Sequence, residues 1–395
     1  MSIRRSLPAL VLALSGWCAA QPPAEPPKST GTDPAAAAPA STPVPSAPAP
    51  AALTTPLAHV ETRGSGPIPI ILIPGLVCDW TTFDAFMDRN AAKYTMYAVT
   101  LPGFGGSEPP PMPASNTYHQ GEWLDNAARA VAALIAERNL DKPVLLGQTM
   151  GTQVALRVAA AKPDSVRAVI AVNGWPAYPL GGAEQVIDRS NRENLINGLM
   201  HSTCDAIAES EWMNQQKEWI ELGVDDKARA AAIIAVGAKV TKPVSTRYML
   251  EYLAADLSDL APKATMPVLV IAALQNVEFA EDDAALRSMW EREWKPVPRH
   301  TLVFFEDTAE FVTENAPADL DRAVEQFLAN RPVEGKKGTP KPPRPTTPQP
   351  AAPDQPQASE PAPPATPPTA PGKPGATDPV PPDPGAEPKP AGPPR

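Results

Sequence analysis

The chain is short of the residues on which most acid–base and metal chemistry depends. Its 395 residues include four histidines, at positions 59, 119, 201 and 300, and three cysteines, at 18, 78 and 204. His201 and Cys204 stand three apart and share a helix face, yet with Cys78 they form no spacing signature of a metal site, and no cofactor is expected. Basic residues are the minority: 34 Lys and Arg against 44 Asp and Glu give a net charge of −10 and a pI near 5.1. That balance argues against nucleic acid or an anionic membrane surface as partner. There is no convincing internal repeat. The apolar run from Leu7 to Trp17 is too short to span a bilayer, so no transmembrane anchor is expected.

That run has another reading. Arg4 and Arg5 precede it, and Cys18-Ala19-Ala20-Gln21 follow, the pattern of a signal peptide cleaved after Ala20. A lipoprotein attached through Cys18 is the lesser alternative, because bulky Trp17 stands where a small residue is wanted. A secreted or periplasmic protein is therefore expected. Cys78 and Cys204 then remain, and one pair does not reveal from spacing whether it is bridged or free.

Proline is abundant, but at the two ends. Residues 21–57 hold 11 prolines and 332–395 hold 24, out of 54 in the chain. Proline fixes φ and donates no hydrogen bond, so these stretches favour solvated polyproline II over a packed core. The boundaries read as a leader over 1–20, a Pro/Ala-rich disordered linker over 21–54, one globular domain over 55–331 and a disordered tail over 332–395. The tails suit spacers, with capture of an envelope partner as the other use.

Within the domain, Leu57–Arg63 reads as an edge strand. Ile68–Ile73 is a near-continuous apolar run, as in a strand buried on both faces, and Pro74-Gly75-Leu76-Val77 turns at its end. Tyr94–Leu101 is a further strand, and Leu124, Ala128, Val131 and Ile135 mark one face of a helix. Val144-Leu145-Leu146 leads into Gly147-Gln148-Thr149-Met150-Gly151 and an alanine-rich helix, and Val166–Val172 is the next strand. From Trp175 to about Leu260 only helical patterns occur. Strand patterns resume at Met266–Ile271 and Thr301–Phe305, before a closing amphipathic helix over Ala316–Leu328. Alternating strands and helices imply an α/β domain with a mostly parallel sheet and helices on both faces. The helical insertion, about 175–262, reads as a cap over the strand carboxyl ends.

The strings PGLVCDW, LPGFGGS, GQTMG, MPVLVIAAL and FFEDTAEFV, in this order and spacing, resemble the capped esterase- and haloperoxidase-like group of the α/β-hydrolase fold. The resemblance covers about 55–331. It implies a nucleophile elbow at 147–151, with Thr149 where the family places serine. It also implies Asn276 at the acid position and Glu310 where the histidine stands. Backbone amides of Leu76 and Met150 fall at the oxyanion-hole positions, and Trp175, Tyr178, Trp212 and Trp219 are candidates to line a site under the cap.

A threonine hydroxyl needs a base to become a nucleophile. A carboxylate of ordinary pKa is a poor base for an alcohol, and Asn276 carries no charge to steady a cation. His119, near the site mouth, and His201, in the cap, are the histidines placed to act as a displaced base. Three functions follow. The first is a catalytically silent fold binding a neutral or anionic small molecule, or a protein. The second is a carboxylesterase-like hydrolase taking an acyl substrate, with Thr149 served by Glu310 or a displaced histidine. The third is an envelope scaffold acting through its proline-rich arms.

Overall fold

The computed structural model describes residues 54–182, 186–275 and 283–338. The expected leader, most of both proline-rich arms and Asn276 lie outside the described residues. Among the described residues seven strands form one sheet: β1 His59–Arg63, β2 Ile68–Ile73, β3 Tyr94–Thr100, β4 Val144–Gln148, β5 Ala168–Val172, β6 Val268–Ala273 and β7 His300–Phe305. Their order is β1-β3-β2-β4-β5-β6-β7. Only β1 runs antiparallel, pairing His59 with Thr100 and Arg63 with Met96 at the sheet edge.

The α-helices, in chain order, are α1 Asp84–Asn90, α2 Glu122–Glu137, α3 Met150–Ala161, α4 Arg189–Asn194, α5 His201–Ala206 and α6 Glu209–Gly223. They continue with α7 Lys227–Gly237, α8 Lys242–Ala254, α9 Asp283–Trp294, α10 Val312–Asn315 and α11 Pro317–Leu328. Side chains alternate across a strand, so the apolar runs feed two cores. Ile71, Ile73, Leu145, Val169 and Val270 face α2, α3, α9 and the cap. Ile70, Leu72, Leu146, Ile170 and Leu269 face α1 and α11 through Phe86, Met87, Leu320 and Val324. Covering both faces is what a parallel sheet needs, and it explains why these strands read as unbroken apolar runs. No helix among the described residues is long and apolar enough to cross a membrane.

Helices α4–α8 lie between β5 and β6 and form the cap. Trp212 Nε1 of α6 donates to Ser245 Oγ of α8 at 2.8 Å, and Tyr248 of α8 donates through its hydroxyl to the Pro102 carbonyl at 2.9 Å. The first of these bonds ties cap helix to cap helix. The second ties the cap to the loop after β3.

One boundary differs from the sequence reading. The tail expected from residue 332 begins instead as ordered chain against β7, where the Lys336 carbonyl accepts from Glu306 N at 2.9 Å. Lys336 Nζ donates to the Asp307 carbonyl and Thr308 Oγ1, and Gly338 N donates to Glu306 Oε2. The exposed edge of β7 offers unpaired backbone groups, and residues 334–338, which contain no proline, satisfy some of them.

Candidate ligand site

The site starts at the elbow. Strand β4 ends at Gln148, helix α3 begins at Met150, and Thr149 makes the turn alone at φ 45°, ψ −114°. Such a turn demands close backbone approach. A Cβ on Gly147 would meet Gly151 O at 2.4 Å, and one on Gly151 would meet Ile73 O at 2.3 Å. Glycine is needed at both. Thr149 is not so excused, since a β-branched residue at positive φ costs about 1–3 kcal/mol. Replacing it with glycine removes that strain and adds back some chain entropy. Thr149→Gly is therefore expected to stabilise the domain by about 1 kcal/mol in urea unfolding; a loss would mean that packing of the threonine side chain outweighs the strain.

Thr149, Leu76, Met150, Trp175 and Glu310 all line one cavity beneath the cap, with Val77, Asn173, Tyr178, Trp212, Gln216, Trp219, Met249, Tyr252 and Leu253 completing its wall. Its interior offers about 70 Å³ to the centre of a water-sized sphere, enough for a small ligand and mostly walled by carbon. The sequence-expected residues thus converge, apart from Asn276, which lies outside the described residues.

The Thr149 hydroxyl sits against the Pro74–Val77 turn, because a Cβ placed on Gly75 would lie 2.2 Å from its Oγ1. Leu76 and Met150 line the cavity, and among the described residues neither backbone amide donates a hydrogen bond outside its own element. The Met150 amide is the first of a helix, where donors are unpaired by construction and the dipole is positive. Two such amides suit a carbonyl oxygen.

Glu310 is 3 % exposed, and Asn173 Nδ2 donates to its Oε2 in a short hydrogen bond. Asn173 directly follows β5 in the left-handed region at φ 48°, and its Oδ1 accepts from Ala273 N at 3.1 Å, which fixes the amide's orientation. The sequence reading missed Asn173. Its signal was a polar residue directly at a strand's carboxyl end, followed by glycine.

None of the four histidines lines the cavity. His300 opens β7 at the amino end of the parallel strands, opposite Thr149, and bonds the Val297 carbonyl. His59 pairs with Glu61 at the edge strand. His201 shares hydrogen bonds with Tyr118 and Asn116, and His119 faces Asn197 and Glu193. Neither of the two histidines expected as a displaced base is therefore in place. Cys78 and Cys204 are free thiols in separate apolar clusters, and burial pushes each up to about 12, so both stay protonated. Among the described residues no group of His, Cys, Asp and Glu is arranged to hold a metal ion.

Glu310 also sets the charge of the cavity wall. It is the only Asp, Glu, Lys, Arg or His in the described wall, so an anionic head group meets a carboxylate and no cation. Such a wall suits a neutral group better than an anion.

Known proteins are similar in the same region. The chain is 28% identical to the 2-(acetamidomethylene)succinate hydrolase of Mesorhizobium japonicum over 118 residues, 30% of this chain and only 39% of that enzyme. It is 25% identical to the pimeloyl-(acyl-carrier protein) methyl ester esterase of Aeromonas hydrophila over 228 residues, 53% of this chain and 84% of that enzyme. The solved esterase EaEST from Exiguobacterium antarcticum overlays with a TM-score of 0.54 at 17% identity, covering 69% of this chain and 95% of that one, which speaks for the fold alone. A sequence model of the alpha/beta hydrolase family matches residues 70–323, from the second strand to the closing helix. With that match over most of the sheet, the elbow and the cap, the chain belongs to the alpha/beta hydrolase family.

Proposed function

We propose that this protein is a catalytically silent member of its family that holds a small neutral ligand beneath the cap. The observation that carries the reading is the Asn173–Glu310 pair beside Thr149. A serine-type elbow needs an imidazole to take the hydroxyl proton and a carboxylate to steady the resulting cation. Here a carboxylate stands in the place of the base and an amide stands behind it. An amide N–H favours the carboxylate as an acceptor and offers nothing to a cation. The hydroxyl turns toward Gly75, and among the described residues it makes no hydrogen bond to Glu310. The backbone cradle and the aromatic wall are still suited to binding, because neither depends on the replaced side chains. The leader-like first 20 residues support a place outside the cytoplasm, and the proline-rich arms support a tether there.

The purified chain is expected to give no turnover of short-chain aryl esters above buffer and no labelling by a fluorophosphonate probe. Labelling at Thr149 that disappears in Thr149→Ala would establish an active nucleophile and end this reading.

A further inference from the structure

Helix α6 presents Trp212, Gln216 and Trp219 to the cavity, at the i, i+4, i+7 spacing of one helix face. Trp212 is satisfied by Ser245. The other two are not. Gln216 is 5 % exposed, and among the described residues neither its Nε2 nor its Oε1 has a hydrogen-bond partner. Nε1 of Trp219 is likewise buried and unpaired, while its ring packs on Phe311 at 5.3 Å. Buried polar groups are nearly always paired, and each exception asks for a reason. Three such atoms, carried on adjacent turns of one helix by two residues that line one cavity, ask for a common reason.

We propose that Gln216 and Trp219 recognise a neutral carboxamide or lactam group of the ligand, a proposal that rests on the binding reading above. A glutamine amide holds a donor and an acceptor side by side in one plane. The group that answers both at once carries the same pair in reverse order. The ligand's N–H donates to Gln216 Oε1, Gln216 Nε2 donates to the ligand's carbonyl oxygen, and Trp219 Nε1 donates to that oxygen's second lone pair. An ester or ketone offers acceptors only and leaves Oε1 unpaired. A carboxylate does the same and also meets Glu310. The apolar remainder of the ligand lies against Val77, Trp175, Met249 and Leu253. Because the amide atoms of Gln216 are covered as the wall stands, binding turns this side chain toward the ligand.

The test is a comparison of isosteres. Benzamide, acetophenone and benzoate are titrated into the full chain by calorimetry and ligand-observed NMR, with isobutyramide and isopropyl methyl ketone as a smaller pair. Each amide is expected to bind about tenfold more tightly than its ketone, as one or two net hydrogen bonds allow, and benzoate more weakly than either. In Gln216→Leu the amide-to-ketone ratio is expected to fall to about one. The melting temperature of that variant is expected to rise, since two unpaired atoms are gone. Equal binding of amide and ketone by the parent chain, or a preference that survives Gln216→Leu, overturns the proposal but leaves a ligand cavity standing. Failure of every probe to bind overturns it as well, whereas the fluorophosphonate experiment addresses catalytic silence separately.

Discussion

A chain carrying Thr149→Ser, Glu310→His and Asn173→Asp is expected to hydrolyse short-chain aryl esters at least about a hundredfold faster than Thr149→Ser alone. Among the described residues the geometry offers Asn173 as the acid position to restore. Asn173 already holds residue 310 through Nδ2, while its Oδ1 is occupied by Ala273 N. An aspartate there keeps the Ala273 bond with one oxygen and turns the other into an acceptor for an imidazole N–H. Its left-handed backbone suits Asp as it suits Asn. Serine matters for a separate reason. Threonine is stiff at χ1, and its hydroxyl is now directed at Gly75. Serine is free to hand its hydroxyl to residue 310, and the backbone amides of Leu76 and Met150, unpaired among the described residues, would be available to an oxyanion. Asn276→Asp in place of Asn173→Asp is the control. Activity from that control alone would assign the acid to the 276–282 segment. Inactivity of both would mean that the cavity no longer admits an acyl group in a reactive pose.

The sheet was legible because burial on both faces writes itself as continuous apolar runs, which β2, β4, β5 and β6 all carry. The elbow was legible because two close backbone approaches require glycine at 147 and 151, whatever residue stands between them. Two features were not legible. Asn173 acts through Glu310, 137 residues away, and no local periodicity encodes that contact. The docking of 334–338 on β7 was hidden because proline-rich composition dominates the stretch that follows, although the seven residues 332–338 contain one proline. The cap aromatics were legible as candidates, but Gln216 was not. A glutamine on a cap helix reads as a solvated residue until its burial is known.

Replacing Glu251 with alanine is expected to be the most damaging single change in the domain. Glu251 belongs to α8, and its side chain is 0% exposed. It accepts from Arg247 Nε at 2.6 Å, and from the backbone amides of Trp123 and Leu124 at 2.9 and 3.0 Å. Those two amides open α2, whose preceding residue is Gly121 and makes no side-chain cap. One carboxylate therefore caps a core helix and neutralises a buried guanidinium together. Burial pushes its carboxyl above the ordinary value, and Arg247 with the two amides pulls it back. Alanine strands all three donors, and Arg247, 3% exposed and with its Nη2 already unpaired among the described residues, keeps its charge over the Tyr118 ring. Breaking a buried pair from one side costs about 3–5 kcal/mol, which in a domain of this size lowers Tm by roughly 10 °C. The double variant Arg247→Met with Glu251→Gln is expected to recover part of that loss, because no charge is left buried and one acceptor remains for the amides. Melting and urea curves on the three proteins decide it. A loss below about 1 kcal/mol for Glu251→Ala would mean that solvent reaches the stranded donors. Because Met249, Tyr252 and Leu253 of the same helix form cavity wall, the joint that Glu251 makes between α2 and α8 also sets the cavity's shape. Glu251→Ala should weaken amide binding even where the domain remains folded.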